Sequence, residues 1–432
     1  MQIPELYKLY LQFPSIQTDT RKVIKDDIFF ALKGPNFNGN QFAKEALAKG
    51  AAYVIVDEFS DKTDERMIQV PDVLKCLQNL AFHHRSQFAL SPSGKKIPFI
   101  AITGSNGKTT SKELIHAVLS ASFKTYTTEG NLNNHIGIPL TILKIKLDAE
   151  IAIIEMGANH QKEIEGYCEY TMPTHGVITN CGKAHLEGFG GEEGVRKGKG
   201  ELYHYLRLHD GTAFVMREYD YLQEMSKGIP NIITYGTSNA DVTGIIKTSS
   251  ELLEVSITAG TEINFIKTNL VGGYNLPNVV LAVAIGKYFK VPDEKIKRAL
   301  ENYQPSNSRS QLIKKDSNKI ILDAYNANPS SMKAAIENFA KMHGADKVLM
   351  LGGMMELGSE SLQEHQNLID LINKYNWKAV VLVGGDFNKV THSFPFFDNS
   401  SQAAAWYKNQ NFKNSNILIK GSRSTAMEKV LE

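Results

Sequence analysis

The stretch Ile97–Leu119, IPFIAITGSNGKTTSKELIHAVL, constrains the fold more than any other part of the chain. An apolar, β-branched run stops at a glycine-bracketed turn. A lysine, two threonines and an amphipathic segment follow. The pattern predicts a buried strand, a tight loop and a helix, one unit of a parallel α/β sheet. The loop is a shortened form of G-x-x-x-x-G-K-[ST]. Gly107, Lys108 and Thr109 fit that pattern, but Thr103 stands where its first glycine belongs, so the loop reads G-x-x-G-K-T from Gly104. The physics survives the shortening. Gly104, Ser105, Asn106 and Gly107 are small enough to let backbone N–H groups approach an anion. The helix starting near Thr109 turns its positive end towards that anion. Lys108 can reach the terminal phosphates of a nucleotide, and the Thr109 hydroxyl can ligate Mg²⁺. The alternative is a plain strand–turn–helix joint with a surface lysine. The buried strand before the loop and the helix after it argue against that.

A chain of 432 residues exceeds one ordinary core, so two or three domains are expected. Three blocks emerge. Residues 1–94 hold DDIFFALKG, a strand-like run, and FAKEALAKGAAYVIVDE, which reads as helix, glycine stop and strand. The polar stretch Leu90–Lys96 reads as a linker. Residues 95–305 hold the quoted segment and two further buried strands, EIAIIEMGA and HGVITN. Residues 240–270 alternate as a small antiparallel patch, and NLPNVVLAVAIGKYF reads as a helix capped by Asn. Residues 306–432 alternate strands (KIILDAY, KVLMLGG, AVVLVGG, NILIKGS) with helical segments, predicting a doubly wound parallel sheet. FPFF at Phe394–Phe397 reads as local packing or a surface loop. The fold class is therefore α/β with three domains: a small N-terminal one, a central phosphate-loop sheet and a C-terminal Rossmann-like sheet.

Charge and cysteines exclude several classes. Net charge is +2, which encodes no affinity for nucleic acid, and the three cysteines are too far apart for a disulfide frame or a structural zinc site. No basic and apolar leader and no 18-residue apolar run is present, so a cytoplasmic protein without a membrane span is expected. No N-K-x-D guanine-reading motif occurs, which disfavours a GTP switch.

Other charged residues fall after strands, on the sheet edge where such folds bind ligands. Glu155 ends IAIIE, where a carboxylate would hold Mg²⁺. His185 and Glu187 lie in the glycine-rich AHLEGFGG. Lys197 and Lys199 sit between glycines in VRKGKGEL, leading into a helix. Each has a bland alternative: a water-facing strand end, a surface histidine and a solvated basic face.

TGSNGKTT, EMGAN, AHLEGFG and KGKGE occur in the order found in the central domain of the Mur ligases, and the chain resembles that family. Mur ligases are ATP-dependent amide-forming enzymes that build the peptide stem of bacterial peptidoglycan, a part of cell-wall synthesis. NLNNHIGIPLTIL, DAYNANPSSM and LIKGSRSTAMEKV resemble the members that add D-alanyl-D-alanine to UDP-N-acetylmuramoyl-tripeptide. The resemblance implies ATP phosphates on Gly104–Thr110, including Thr110, with Lys108 on the γ-phosphate. It implies two Mg²⁺ ions, with Thr109 and Glu155 on the first, His185 on the second, and Lys199 as a metal ligand if carbamylated.

For the rest of the nucleotide it implies Asn275 and Asn278 at the adenine, and Arg309, Asp323 and Tyr325 closing over it. Tyr274 replaces the family's usual histidine. Thr20, Arg21, Asn38 and Asn40 are implied at the uridine diphosphate, with Asn133 and Asn134 also at the substrate. Asn326, Asn328 and Ser331 are implied near the incoming dipeptide. Gly353 lacks the carboxylate of the family's G-D-M turn. Glu364 and His365 are candidates for a general base, or else belong to a solvated helix face. A monomer is expected. The alternatives are another Mur-type amino-acid ligase, a folylpolyglutamate synthetase or a non-catalytic nucleotide switch.

Overall fold

The computed structural model describes residues 1–58, 64–88, 97–306, 308–344 and 346–432. The linker read at Leu90–Lys96, and with it the boundary between 94 and 95, lies outside the described residues. Contacts divide the chain into two compact units. One comprises 1–101, 124–157 and 163–175; the other comprises 102–123, 158–162 and 176–432.

In the first unit, four parallel strands form a sheet in the order Ile16–Gln17, Ile28–Phe30, Tyr53–Val56 and Met67–Gln69. Ile28, Phe29 and Phe30 are buried on both faces, as an uninterrupted apolar run requires. The helix Ala43–Ala48 ends before Gly50, whose φ of +101° stops it as the sequence predicts.

The central sheet has nine strands. Their spatial order is Phe265–Lys267, Glu254–Ala259, Val242–Thr248, Asn231–Gly236, Thr212–Met216, His175–Ile178, Phe99–Thr103, Ile151–Glu155 and Thr125–Thr127. Every residue of Phe99–Thr103, Ile151–Glu155 and His175–Ile178 is buried. The first three strands of that order pair antiparallel, giving the patch expected at 240–270. The helix Lys108–Ser120 buries Leu114, Ile115, Val118 and Leu119, the spacing of one helical stripe. The helix Leu276–Tyr288 is apolar all round and buried for most of its length. Asn275 does not cap it: its backbone is already helical and its side chain makes no cap bond.

The third sheet has six strands, in the order Gln311–Lys315, Asn318–Asp323, Asn416–Lys420, Lys347–Gly352, Ala379–Val383 and Phe396–Phe397. The last five are parallel and the first is an antiparallel edge. That edge strand, QLIKK, was not expected, because it is short and polar at its ends, and none of its residues is fully buried. FPFF is neither a free loop nor plain packing: Phe396 and Phe397 pair with Leu382 and Val383 as the opposite edge.

His175 starts a buried strand, and desolvation lowers its pKa to about 4. A histidine kept neutral by folding stabilises above its unfolded pKa, near 6.5, and loses that contribution as pH falls through about 4. Some 2.5 units correspond to about 3 kcal/mol. Chemical denaturation between pH 7 and 4 should show this loss. His175→Gln should lack that part of the pH dependence while keeping the share due to His84, whose pKa burial also lowers. Equal slopes in the two proteins would contradict the assignment.

Candidate active site

The loop Gly104–Gly107 is held from below by the end of strand His175–Ile178. The Ser105 N–H donates to Asn180 O at 2.8 Å, and its hydroxyl donates to Gly182 O at 2.7 Å. The Asn106 N–H donates to Asn180 Oδ1 at 3.1 Å. Asn106 O accepts from Thr179 Oγ1 at 2.6 Å and from Asn180 Nδ2 at 3.0 Å. The loop can take this shape because its two glycines have φ of +140° and +82°. A Cβ on Gly104 would lie 2.0 Å from Thr179 Oγ1, and one on Gly107 would lie 2.7 Å from Asn278 Oδ1.

The Lys108 ammonium folds back over the loop, donating to Gly104 O at 2.5 Å and to Ser105 O at 3.3 Å. It thus stands at the loop mouth, where a phosphate would compete for it. Thr109 is buried at the first turn of the helix. Thr110, next along, also lies in that turn. Lys112 on the same helix is fully buried beside Glu113, at 2.9 Å. Nothing in the motif signals that lysine.

Asn275 and Asn278 turn inwards. Asn278 Nδ2 donates to Asn275 Oδ1 at 2.9 Å, and Asn278 Oδ1 accepts from Ser111 Oγ at 3.0 Å. Asn275 Nδ2 donates to Val271 O at 2.9 Å. The Ser111–Asn278 bond ties the helix Leu276–Tyr288 to the helix that follows the phosphate loop. Tyr274, in place of histidine, meets Ser310 Oγ at 3.1 Å.

Glu155 is buried at its strand end. Its Oε1 accepts from Asn133 Nδ2 at 2.8 Å, which orients the carboxylate. Asn134 Oδ1 accepts from the Ile136 and Gly137 N–H groups at 3.2 and 2.9 Å, capping the next helix.

Lys197 and Lys199 do not lead into a helix; both lie inside the helix Glu192–Leu208. Lys197 pairs with Glu193, whereas Lys199 is 1% exposed and donates to Ala158 O at 3.1 Å. Phe189 covers its ammonium, 4.8 Å from the ring centre. His185 has φ of +54°, and its Nδ1 lies close to the Glu356 carboxylate. The His185 partner holds the Glu356 carboxyl below its usual pKa. The GGMMELG turn, which has glycine at position 353, carries its carboxylate three residues later, at Glu356.

In the third block, Arg309 stacks on Tyr325 with its Cζ 3.5 Å from the ring centre. Asp323 accepts from Lys420 Nζ at 2.6 Å and from the Ser310 N–H at 3.1 Å. Lys420, nearly fully buried, also donates to Asn326 O at 3.2 Å, a knot that no motif revealed. Asn326 Oδ1 accepts from the Ala327 N–H at 2.9 Å. Asn328 and Ser331 form a capping box for the helix Pro329–Lys341. The free end of that cap matters more: Asn328 Nδ2 donates to Asn106 Oδ1 at 2.8 Å, joining the DAYNANPSSM segment to the phosphate loop.

Glu364 and His365 are both buried, not a solvated face. Glu364 accepts from Lys183 Nζ at 2.6 Å. His365 is fully buried with both nitrogens bonded, and burial lowers its pKa.

In the N-terminal block Thr20 is buried and Arg21 is exposed, paired with Asp19 at 2.8 Å. Asn38 Nδ2 donates to Glu58 at 2.7 Å and Asn40 Nδ2 donates to Asp57 at 2.8 Å, with Lys33 bridging both acids. Asn40 Oδ1 accepts from the Asp57 N–H at 3.1 Å. These two asparagines therefore brace the end of strand Tyr53–Val56.

Three family descriptions match the chain in sequence: Mur ligase family, catalytic domain, over residues 12–85; Mur ligase middle domain over 102–286; and Mur ligase, glutamate ligase domain, over 308–423. The chain is 33% identical over 434 residues to the UDP-N-acetylmuramoyl-tripeptide–D-alanyl-D-alanine ligase of Bacillus subtilis, covering 96% of this chain and 92% of that one. It belongs to the Mur ligase family. A MurF crystal structure from Acinetobacter baumannii matches with TM-score 0.86 at 32% identity, covering 96% and 92% of the two chains. The MurF ligase of Thermotoga maritima in complex with ADP matches with TM-score 0.86 at 25% identity, covering 98% and 97%. The three-domain α/β fold of this Mur ligase is thereby shown.

Among the described residues, no three His, Cys, Asp or Glu side chains converge as a ready cage for a metal. Mg²⁺ does not need one: it is commonly held by one or two carboxylates together with water and phosphate oxygens. The buried Glu155 carboxylate and the buried Thr109 hydroxyl are each an oxygen donor of the kind Mg²⁺ takes.

Gly107→Ala should weaken ADP binding at least tenfold in calorimetry. The left-handed backbone alone costs a side chain about 1–2 kcal/mol, and the Cβ would displace Asn278. Unchanged affinity would contradict the geometry of the loop.

Proposed function

We propose that this Mur ligase joins D-alanyl-D-alanine to UDP-N-acetylmuramoyl-tripeptide, consuming ATP and releasing ADP and phosphate. The observation that carries the reading beyond nucleotide binding is the bond from Asn328 to Asn106. It puts a segment of the third block against the phosphate loop, an arrangement suited to two-substrate chemistry rather than to a switch.

A carboxylate and an amine do not condense in water, so the carboxylate must first be activated. The terminal carboxylate of the tripeptide attacks the γ-phosphorus of ATP, giving an acyl phosphate and ADP. The dipeptide amine then attacks the acyl carbon and phosphate departs. Lys108 offsets charge where anion meets anion, and water must be kept from the acyl phosphate. Thr109, Glu155 and His185 would hold Mg²⁺, two ions in all, which would neutralise phosphate charge. Lys199 cannot ligate as an ammonium but would as a carbamate.

Residues 1–94 would carry the uridine diphosphate, through Thr20 and Arg21. Residues 95–305 would carry ATP, and 306–432 the dipeptide. A cavity of 740 Å³ suits the dipeptide. It lies at the carboxyl ends of the strands Lys347–Gly352, Ala379–Val383 and Asn416–Lys420, with Glu356, Asp386 and Lys429 among its lining. Asn328 and Ser331, whose polar atoms are engaged in capping, would shape the approach to it. The enzyme would work as a cytoplasmic monomer. No helix among the described residues is long and apolar enough to cross a membrane.

Phosphate release from Mg-ATP should require both the tripeptide nucleotide and D-alanyl-D-alanine, and the product should gain the dipeptide by mass. Lys108→Ala should lower turnover by about 10³-fold, the scale for losing one preorganised electrostatic contact, with an unchanged fold by circular dichroism. Release independent of both acceptors would overturn the ligase reading.

A further inference from the structure

Gly182 and Lys183 lie between the phosphate loop and the third block. On one side, Gly182 O accepts from the Ser105 hydroxyl at 2.7 Å. On the other, the Lys183 N–H donates to Ser330 Oγ at 3.0 Å, in the first turn of the helix Pro329–Lys341. The approach is close: a Cβ on Gly182 would lie 2.9 Å from Ser330 Oγ.

The Lys183 side chain reaches the third block a second time. Its half-buried ammonium donates to Glu364 Oε1 at 2.6 Å, and Glu364 is buried on the helix Ser361–Ile372. Glu192, which opens the helix carrying Lys199, stands 3.6 Å from the same Nζ. Glu360 of the third block also acts on this ammonium. One cation therefore serves three carboxylates, two from the third block and one from the middle block. Carboxylates gathered at a partly buried contact repel one another unless a cation stands among them. Lys183 thus turns a repulsive contact between the blocks into an attractive one.

We propose that Lys183 is a positioning residue that sets the third block in register on the phosphate loop, so that the dipeptide amine meets the acyl phosphate before water does. This inference deepens the ligase reading and rests on it. The acyl phosphate has two fates. In one, the amine attacks the acyl carbon, the bond from that carbon to the phosphate oxygen breaks, phosphate leaves and the amine gives up a proton. In the other, water attacks in its place, and the carboxylate is regenerated beside phosphate. Each fate releases one phosphate, but only the first makes an amide. Loss of register favours water, so the role of Lys183 shows in the partition between the two fates and not in nucleotide binding.

The test counts phosphate and amide in one reaction of the full-length chain with Mg-ATP, UDP-N-acetylmuramoyl-tripeptide and D-alanyl-D-alanine. The wild-type chain should release one phosphate per amide. Lys183→Met should release more than one, and its KM for D-alanyl-D-alanine should rise about tenfold or more, the scale for truncating one partner of a half-buried charge pair. Its calorimetric affinity for ADP should be unchanged. Lys183→Arg should restore most of the coupling. Glu364→Gln should uncouple in the same way, and the double variant should be no worse than either single one. Should Lys183→Met fail to fold, Glu364→Gln carries the test. A merely weakened fold lowers the amount of active enzyme but leaves the ratio at one. A ratio that stays at one in Lys183→Met would overturn the proposal. So would a Glu364→Gln enzyme that slows with its ratio intact, because Glu364 would then act on the reaction itself. A failure of the ligase reading would show already in the wild-type chain, as phosphate release that ignores the acceptors.

Discussion

Asn106 is the residue around which the site is assembled. Its N–H and its C=O are bonded to the end of the strand His175–Ile178, and its side-chain oxygen accepts from Asn328 in the third block. A phosphate loop must keep its N–H groups aimed at an anion whose charge would otherwise be costly to desolvate. It can do so only if its own conformation is over-determined. Gly104 and Gly107 supply backbone angles that other residues resist, and the bonds through Asn106 and Ser105 fix those angles. A further bond, from Asn328 to the Asn106 side chain, ties the start of the helix Pro329–Lys341 to the loop.

Two buried asparagines behave alike: Asn278 accepts from Ser111 on the helix that follows the phosphate loop, and Asn328 donates to Asn106 within it. A buried amide must have partners, and each partner is also fixed by the bond.

The sheet architecture was legible because its signal is local. IAIIE, KVLMLGG and AVVLVGG are short, apolar and β-branched, and each forms a buried strand. The phosphate loop was legible for the same reason, since its glycines, lysine and threonine are neighbours in the chain. What escaped was whatever depends on partners remote in sequence. The edge strands Gln311–Lys315 and Phe396–Phe397 are defined by their neighbours rather than by their own composition. Lys420 declares its role only once Asp323 is beside it. His365 reads as a polar helix residue until the Met354 N–H is seen pointing at it. KGKGE suggested an approach to a helix, yet tertiary burial carries the helix through both glycines and hides Lys199 inside it.

The central claim is that the tripeptide carboxylate is activated by direct transfer of the γ-phosphoryl group. The most direct measurement is a reaction with ¹⁸O in that carboxylate, followed by mass analysis of the released phosphate. Attack of the carboxylate on phosphorus requires one ¹⁸O to leave with each phosphate as the amide forms, and that is the expected result. Phosphate carrying no label, with both ¹⁸O atoms retained in the nucleotide substrate, would mean that ATP is hydrolysed by water and would contradict the account.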